Sequence, residues 1–318
     1  MNLSTLLIIL LSLITVSCYV ALIQPVIGDN VGNSVLDILE CVINLQPRIL
    51  HLSSSSDSKV NDFYKKVDEE LRKTIVYEGN LDKQLLLVGR GLIAGFYNTH
   101  IPWYWEYSCD KSDGYWKRYG SGFRMAMVNV CKTMNYIPLE TAIHIRLGDV
   151  PFLHLHKSFS QYHFQYDKYY EWAFDRLNLK PGEPITIVYS ITWQSDQHIK
   201  LLSQEFISFF SQWITAQGYQ VSLQSEDSLT DLASLVNAKR IIGSCGSYSF
   251  ISAIGRDPNT FCLPQTGKEY EHGEYILYNR PEWMSPYPPL LHHTVRELGM
   301  DYNHMQALTN ILFHFNKL

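Results

Sequence analysis

The first long apolar stretch lies at the N-terminus, where residues 3–27 carry no charged side chain and are rich in Leu, Ile and Val. A helix of this length, at 1.5 Å per residue, crosses the roughly 30 Å hydrocarbon layer of a bilayer. The pattern therefore predicts a membrane anchor over residues 1–29. A cleaved signal peptide is the open alternative, with Ser17 or Ala21 at the cut site.

A helical pattern follows a run of serines at residues 53–56. Apolar side chains recur at spacings of three and four residues at Val60, Phe63, Val67 and Leu71, and Lys, Asp and Glu occupy the opposite face. This spacing predicts an amphipathic scaffold helix over residues 59–73. We expect the folded part to begin near residue 57, after a stem over residues 30–56.

The C-terminal half alternates short apolar runs with amphipathic segments. The runs predict strands at residues 185–189, 219–223, 241–242 and 260–263, and the segments between them predict helices at residues 196–217, 229–237 and 249–254. This alternation predicts a parallel sheet covered by helices on both faces. Ligands of such sheets lie outside the carboxyl ends of the strands.

Composition narrows the classes of function. A chain of 318 residues favours two domains, and a net charge of −5 argues against broad binding to nucleic acid, which needs clustered Lys and Arg. The 21 Tyr and 7 Trp residues provide rings on which sugars stack, or they simply fill an aromatic core. Five cysteines follow the N-terminal segment without a C-x-x-C pair, which leaves the redox compartment open.

Two segments of the first half are further candidates for ligand contact. An apolar run at residues 85–88 predicts a buried strand, and residues 89–91 (Gly-Arg-Gly) form a turn that either holds a ligand or only connects two elements. Residues 101–107 are crowded with aromatic rings, followed by Trp116 and Tyr119, without a helical or strand period. These rings form either a lid of the core or a platform for a sugar.

The strongest candidate chemistry lies in residues 141–149. Residues 141–146 predict a strand in which His144 and Arg146 project to the same side, and Asp149 follows in a turn. A guanidinium donates two parallel hydrogen bonds to phosphate oxygens, and the imidazole beside it donates or accepts, so the pair suits a diphosphate. The alternative is an ion pair between Arg146 and Asp149, with His144 as a hydrogen-bonded interior histidine.

A turn of small residues follows the strand predicted at residues 241–242. Residues 243–246 (Gly-Ser-Cys-Gly) lead into Ser247, Tyr248 and Ser249 at the start of a helix. Backbone N–H groups, hydroxyls and a helix N-terminus then meet at the carboxyl end of a strand, which predicts an anion site. The alternative is an ordinary turn with a serine N-cap.

Two carboxylates precede this turn. Asp227 and Asp231 are candidates to accept hydrogen bonds from a guanine amino group or a ribose hydroxyl. Each is equally suited to cap the helix at residues 229–237, so the sequence leaves their role open.

These motifs resemble a known family. Residues 144–149 (His-Ile-Arg-Leu-Gly-Asp) resemble the H-x-R-x-G-D signature of the α-1,2-fucosyltransferases and of their α-1,6- and protein O-fucosyltransferase relatives. Residues 231–250 resemble that family's region in which an Asp-Leu helix leads through a strand to a serine-rich turn. Leu147 stands at the position of the family's second arginine, and Ile251 and Ser252 stand where it has tryptophans.

The resemblance implies an α/β, GT-B-like fold, with two Rossmann-like domains and the donor site in the crevice between them. The acceptor-side domain would span residues 57–183 and the nucleotide-sugar-binding domain residues 184–318. The implied activity is inverting transfer of L-fucose from GDP-fucose to a glycan hydroxyl, without a metal or other cofactor. A transferase that uses another nucleotide sugar and a non-catalytic glycan-binding relative are the alternatives.

The resemblance also implies roles for the residues named above. Arg146 would neutralise charge on the departing diphosphate, His144 would assist it, and Asp149 or Glu106 would be the general base. The donor would be bound by His144, Arg146, Asp227, Asp231, Ser247, Tyr248 and Ser249. The implied partners are a nucleotide-sugar donor, a glycan acceptor and, through the N-terminal segment, a membrane. An anchored enzyme would face the lumen of the Golgi or endoplasmic reticulum, and a cleaved one would be secreted.

Overall fold

The computed structural model describes residues 31–44, 57–75, 115–147, 167–191, 197–244, 247–254, 260–262, 270–272 and 275–277. The chain divides into two compact units, Met1–Val130 and Cys131–Leu318. The predicted anchor, the turn at residues 89–91, the aromatic segment at residues 101–107 and Asp149 lie outside the described residues. Within the described ranges, no helix combines the length and apolarity that crossing a membrane requires.

The first unit contains helices α1 (Val31–Asn44), α2 (Ser58–Thr74) and most of α3 (Tyr115–Lys132). The α2 prediction is confirmed: Asp57 caps the helix by accepting from the Lys59 N–H at 2.8 Å, and the predicted apolar face is buried (Val60, Phe63, Val67 and Leu71, joined by Tyr64). The basic residues in its last turn complement the negative end of the helix dipole.

Helix α1 lies in the segment expected to be a stem. Its side chains at Val35, Ile38 and Leu39 are at most 1 % exposed, and the helix contacts α2. These three residues are spaced three and one apart, so they share one apolar face of the helix. An amphipathic helix is stabilised by packing such a face against a neighbouring element. Folded structure therefore begins before residue 57.

Helix α3 begins inside a segment for which the sequence showed no period. Tyr119, expected in an aromatic loop, is a helical residue with 4 % exposure. Gly122 lies against the end of α2, where an added Cβ would come within 2.6 Å of the Thr74 carbonyl oxygen and 2.7 Å of the Ile75 Cδ1. This close approach of two helices accounts for the glycine, since any side chain there would displace backbone.

The second unit is built on a five-stranded parallel sheet; the parallel sheet was predicted, whereas the inclusion of residues 141–147 in it was not. The strands are β1 (Thr141–Leu147), β2 (Pro184–Ile191), β3 (Gln220–Gln224), β4 (Arg240–Ile242) and β5 (Phe261–Cys262), in the order β3-β2-β1-β4-β5. All four pairings are parallel. A separate antiparallel pair joins β6 (Tyr270–His272) and β7 (Tyr275–Leu277).

Helices α4 (Asp167–Arg176), α5 (Gln197–Ala216), α6 (Ser228–Asn237) and α7 (Ser247–Ile254) alternate with these strands. Three of the four were predicted within two residues at either end, whereas α4 was not predicted. The expectation of helices on both faces of the sheet is confirmed by the side chains of β1. Ile143, Ile145 and Leu147 belong to one core cluster with α4 and α5, whereas His144 faces α7.

The boundary between units differs from the expected one at residues 183/184. Strand β1 precedes that boundary, yet it pairs with β2 on one side and with β4 on the other. A strand in the middle of a sheet cannot belong to another domain, because its backbone hydrogen bonds are made within that sheet. The division at residues 130/131 keeps all five strands together.

Candidate functional site

The strand order places a topological switch point between β1 and β4. Strand β1 is followed in sequence by α4 and strand β4 by α7, and these helices cover opposite faces of the sheet. Ligands of open α/β sheets bind outside the carboxyl ends of the strands at such a point. Because Ile143 pairs with Ile242, His144 lies level with the turn that leaves β4.

Two serines hold the side chain of His144 against the turn that follows β4. Its Nδ1 lies 2.5 Å from the Ser249 Oγ and 3.4 Å from the Ser244 Oγ. The Ser249 Oγ also accepts the backbone N–H of Ser244 at 3.1 Å. On one side, the ring of His144 contacts that of Tyr248, with centroids 5.1 Å apart and planes tilted by 33°. The structure thus brings His144 together with Tyr248 and Ser249, which lie about 100 residues later in the sequence.

The imidazole of His144 is neutral near physiological pH. His144 is 4 % exposed. Burial lowers the pKa of its imidazole to about 3, and the charge of Arg146 makes a smaller contribution in the same direction. Nδ1 is engaged within the protein, as the interior-histidine interpretation expected. The residue therefore acts as a neutral hydrogen-bonding group rather than as a cation beside a phosphate.

Arg146 lies two residues further along the same face of β1, nearer the carboxyl edge of the sheet. It is partly buried, opposite Ser190 of β2 in register, and its charge is felt at His144. The sequence thus correctly paired His144 and Arg146 on one face. The proposed ion pair with Asp149 concerns a residue outside the described part of the chain.

Asp227 is the N-cap of α6. Its Oδ1 accepts the backbone N–H groups of Leu229 and Thr230, each at 3.1 Å, and its Oδ2 accepts the Thr230 hydroxyl at 2.6 Å. The sequence left two roles open for Asp227, and in the structure it caps α6. The carboxylate also adds negative charge to the positive end of the α6 dipole.

The carboxylate of Asp231 is buried and bonded within the protein. It is 5 % exposed; its Oδ1 accepts from the Gln224 Nε2 at 2.8 Å, and its Oδ2 accepts the Glu226 N–H at 3.1 Å. Burial raises its pKa, and these two hydrogen bonds act in the opposite direction. Asp231 therefore ties the end of β3 to α6, and its part in donor binding stays a prediction.

Tyr248 and Ser247 lie at the start of α7. The Tyr248 hydroxyl donates to the Ser228 carbonyl at 2.5 Å, which joins α7 to the first turn of α6. Burial, and then the negative charge of Asp231, raises the pKa of this phenol well above its ordinary value. Ser247 is the first residue of the helix.

Tyr169 is a residue of this region that the sequence did not single out. It is fully buried on α4, and its hydroxyl lies 2.7 Å from the Gly243 carbonyl and 3.2 Å from the Cys262 carbonyl. It therefore holds the turn after β4 to the end of β5. No local pattern marks it, because both partners lie more than 70 residues away in the chain.

The cysteines and the metal-ligating side chains of the described ranges do not form a cluster. There, no group of three or more His, Cys, Asp and Glu residues stands close enough to hold a metal ion. Cys131 and Cys262 are free thiols, and burial raises the pKa of each to about 12. Neither is a thiolate at neutral pH, so neither is suited to act as a nucleophile or a metal ligand.

At the switch point, one guanidinium, one neutral imidazole and the start of α7 therefore meet at the carboxyl edge of a parallel sheet. Oriented backbone N–H groups and a cationic side chain in this position favour an anionic ligand such as a phosphate. Comparison of the chain with models of protein families, with curated proteins and with solved structures yields no match in any of the three.

Proposed function

We propose that this protein is a glycosyltransferase that transfers a sugar from a nucleotide donor, L-fucose from GDP-fucose, to a glycan hydroxyl. The observation that carries the proposal is the position of His144 and Arg146. They share one face of the central strand β1, beside the turn into α7, at the switch point of a doubly wound sheet. The resemblance of residues 144–149 to the H-x-R-x-G-D signature supports the choice of donor.

In the proposed reaction, the acceptor oxygen forms a bond to the anomeric carbon of the sugar while the bond from that carbon to the diphosphate breaks. Arg146 stabilises the negative charge that develops on the departing diphosphate. Removing one such preorganised donor typically costs about 10²–10³ in turnover. The neutral ring of His144 contributes a hydrogen bond and no charge. Asp149 or Glu106 takes the proton of the acceptor hydroxyl in this scheme.

The finer fold assignment is part of the same proposal. We expect a GT-B-like enzyme in which the second unit binds the nucleotide and the first unit provides a second Rossmann-like domain on the acceptor side. The five-stranded sheet with the order β3-β2-β1-β4-β5 supports the nucleotide-binding half of this assignment.

The experiment is to incubate the full-length protein with a glycan acceptor mixture and, in separate reactions, GDP-fucose, GDP-mannose and UDP-sugars, and to measure released nucleotide. Release of GDP from GDP-fucose is expected. Release from a different donor would keep the transferase class and replace the sugar. No release from any donor, together with tight glycan binding, would instead favour the glycan-binding alternative.

An Arg146→Ala variant connects the activity to the site. We expect turnover to fall about 10²–10³-fold with an unchanged circular dichroism spectrum. The control is Lys239→Ala, which removes a cation from the opposite edge of the sheet, where an exposed Lys239 pairs with Glu140 at 2.6 Å. Equal activity of Arg146→Ala and Lys239→Ala would disprove the proposed site.

A further inference from the structure

Ser249 was expected to contact the donor, but its contacts indicate a different role. Its side chain is fully buried, and its Oγ lies 2.5 Å from the His144 Nδ1. The same oxygen accepts the Ser244 N–H at 3.1 Å and lies 3.2 Å from the Ser244 Oγ. The hydroxyl thus stands between the imidazole and the turn that leaves β4.

The contacts of the Ser249 Oγ favour it as the donor to His144. Because this oxygen accepts the Ser244 N–H, its own proton is directed to another acceptor. The His144 Nδ1, at 2.5 Å, is nearer to it than the Ser244 Oγ, at 3.2 Å. A serine oxygen has one proton and two lone pairs, so Ser249 can accept from Ser244 and still donate to His144.

A neutral imidazole carries a single proton, on one of its two nitrogens. If the Ser249 hydroxyl donates to Nδ1, that nitrogen must be the acceptor and the proton must lie on Nε2. The ring is held in place at the same time, because Tyr248 packs against it and both serines contact Nδ1. Nε2 takes no part in these two serine contacts.

We propose that Ser249 is a positioning residue that donates to Nδ1 of His144 and thereby fixes the neutral ring as an Nε2–H donor to a phosphate oxygen of the bound nucleotide. The phosphate partner rests on the proposed function, whereas the tautomer does not. Ser249 then acts on the ligand through His144 and is not itself a ligand contact. In this arrangement His144 supplies direction without charge, and Arg146 supplies the charge.

The test begins with the nucleotide-free, full-length protein labelled with ¹⁵N-histidine. Long-range ¹H–¹⁵N spectra at pH 7 distinguish protonated from unprotonated ring nitrogens. The signal of His144 among the 12 histidines is identified by its loss in a His144→Gln variant. We expect unprotonated Nδ1 and protonated Nε2. A protonated Nδ1 in the wild-type protein overturns the proposal, and this result needs no Ser249 variant to fold.

Two serine variants then separate positioning from general stability. Ser249→Ala should shift His144 toward a mixture of tautomers. The matched control, Ser252→Ala, should leave the tautomer unchanged, because Ser252 lies buried on the same helix but its hydroxyl donates to the Tyr248 carbonyl at 2.7 Å. An unchanged tautomer in Ser249→Ala also overturns the proposal.

Binding of GDP, measured by calorimetry, tests the ligand half. Loss of one neutral hydrogen bond corresponds to about 2–10-fold weaker binding, which is expected for Ser249→Ala and not for Ser252→Ala. Equal GDP affinity in the two variants would overturn the phosphate contact. The expected tautomer in a wild-type protein that binds no nucleotide would refute the proposed function and the phosphate contact, while supporting the positioning of His144 by Ser249.

Discussion

The low pKa of His144 predicts how the stability of the protein depends on pH. The unfolded chain titrates this imidazole near its ordinary pKa of 6.5, whereas burial, helped by the charge of Arg146, lowers the folded-state pKa to about 3. Between these two values the unfolded state binds more protons than the folded state. The free energy of unfolding must therefore decrease as the pH falls from about 6.5 toward 3.

The size of this effect follows from the two pKa values. At pH 5 about 97 % of the unfolded imidazoles and about 1 % of the folded ones are protonated. The difference corresponds to a loss of about 2 kcal/mol between pH 7 and pH 5 from this single group, with a limiting slope near 1.4 kcal/mol per pH unit. Above pH 6.5 this loss of stability disappears, because the imidazole is then mostly neutral in the unfolded chain as well.

The assay is urea unfolding, followed by tryptophan fluorescence at pH 7 and pH 5, of the wild type and of His144→Gln. The amide keeps hydrogen-bonding capacity toward Ser249 but does not titrate. We expect the wild type to lose about 2 kcal/mol more than the variant over this pH interval. Other groups, including Asp231 with its raised pKa, contribute equally to both proteins and cancel. Parallel pH profiles for the two proteins would refute a buried, neutral His144.

Three further predictions concern stability, each measured by urea unfolding. Tyr169→Phe should lower the free energy of unfolding by about 1–3 kcal/mol, because the Gly243 carbonyl loses its hydroxyl donor, whereas the Cys262 carbonyl still accepts the Gly243 N–H; a change under 0.5 kcal/mol would contradict that contact. Asp231→Ala should cost about 1–3 kcal/mol because its buried partners lose their acceptor, and Asp227→Ala should cost about 1 kcal/mol as a lost N-cap; the reverse order would show that we misjudged the two carboxylates. Gly122→Ala should cost about 1–3 kcal/mol because its Cβ would meet a backbone carbonyl, whereas the exposed Ser121→Ala on the same helix should be neutral; two neutral variants would rule out the close helix approach.

Local periodicity explains why so many elements could be predicted from the sequence. The buried side of α2 follows from a spacing of three and four residues, and β1 and β2 follow from short apolar runs. The same alternation within β1 put His144 and Arg146 on one face. In each case, the pattern that predicts the element lies within a few residues along the chain.

The elements that were not predicted depend on contacts that local periodicity does not contain. Helix α4 was not predicted, because its sequence mixes apolar and charged residues next to a long segment without a clear pattern. Aromatic crowding around Tyr119 resembled a loop, yet Tyr119 is a buried residue of helix α3. Packing on neighbouring elements decided both, and a short window of sequence does not contain the neighbours.

The sequence by itself determined that the second half is a parallel α/β sheet, that His144 and Arg146 project to one side, and that a small-residue turn opens a helix about 100 residues later. Tertiary structure alone decided that β1 lies between β2 and β4, which creates the switch point and joins His144 to Ser249. It also separated Asp227, a helix cap, from Asp231, a buried link to β3. The physical reason is that spacing along the chain sets which face a side chain takes, whereas strand order and burial depend on contacts between residues far apart in sequence.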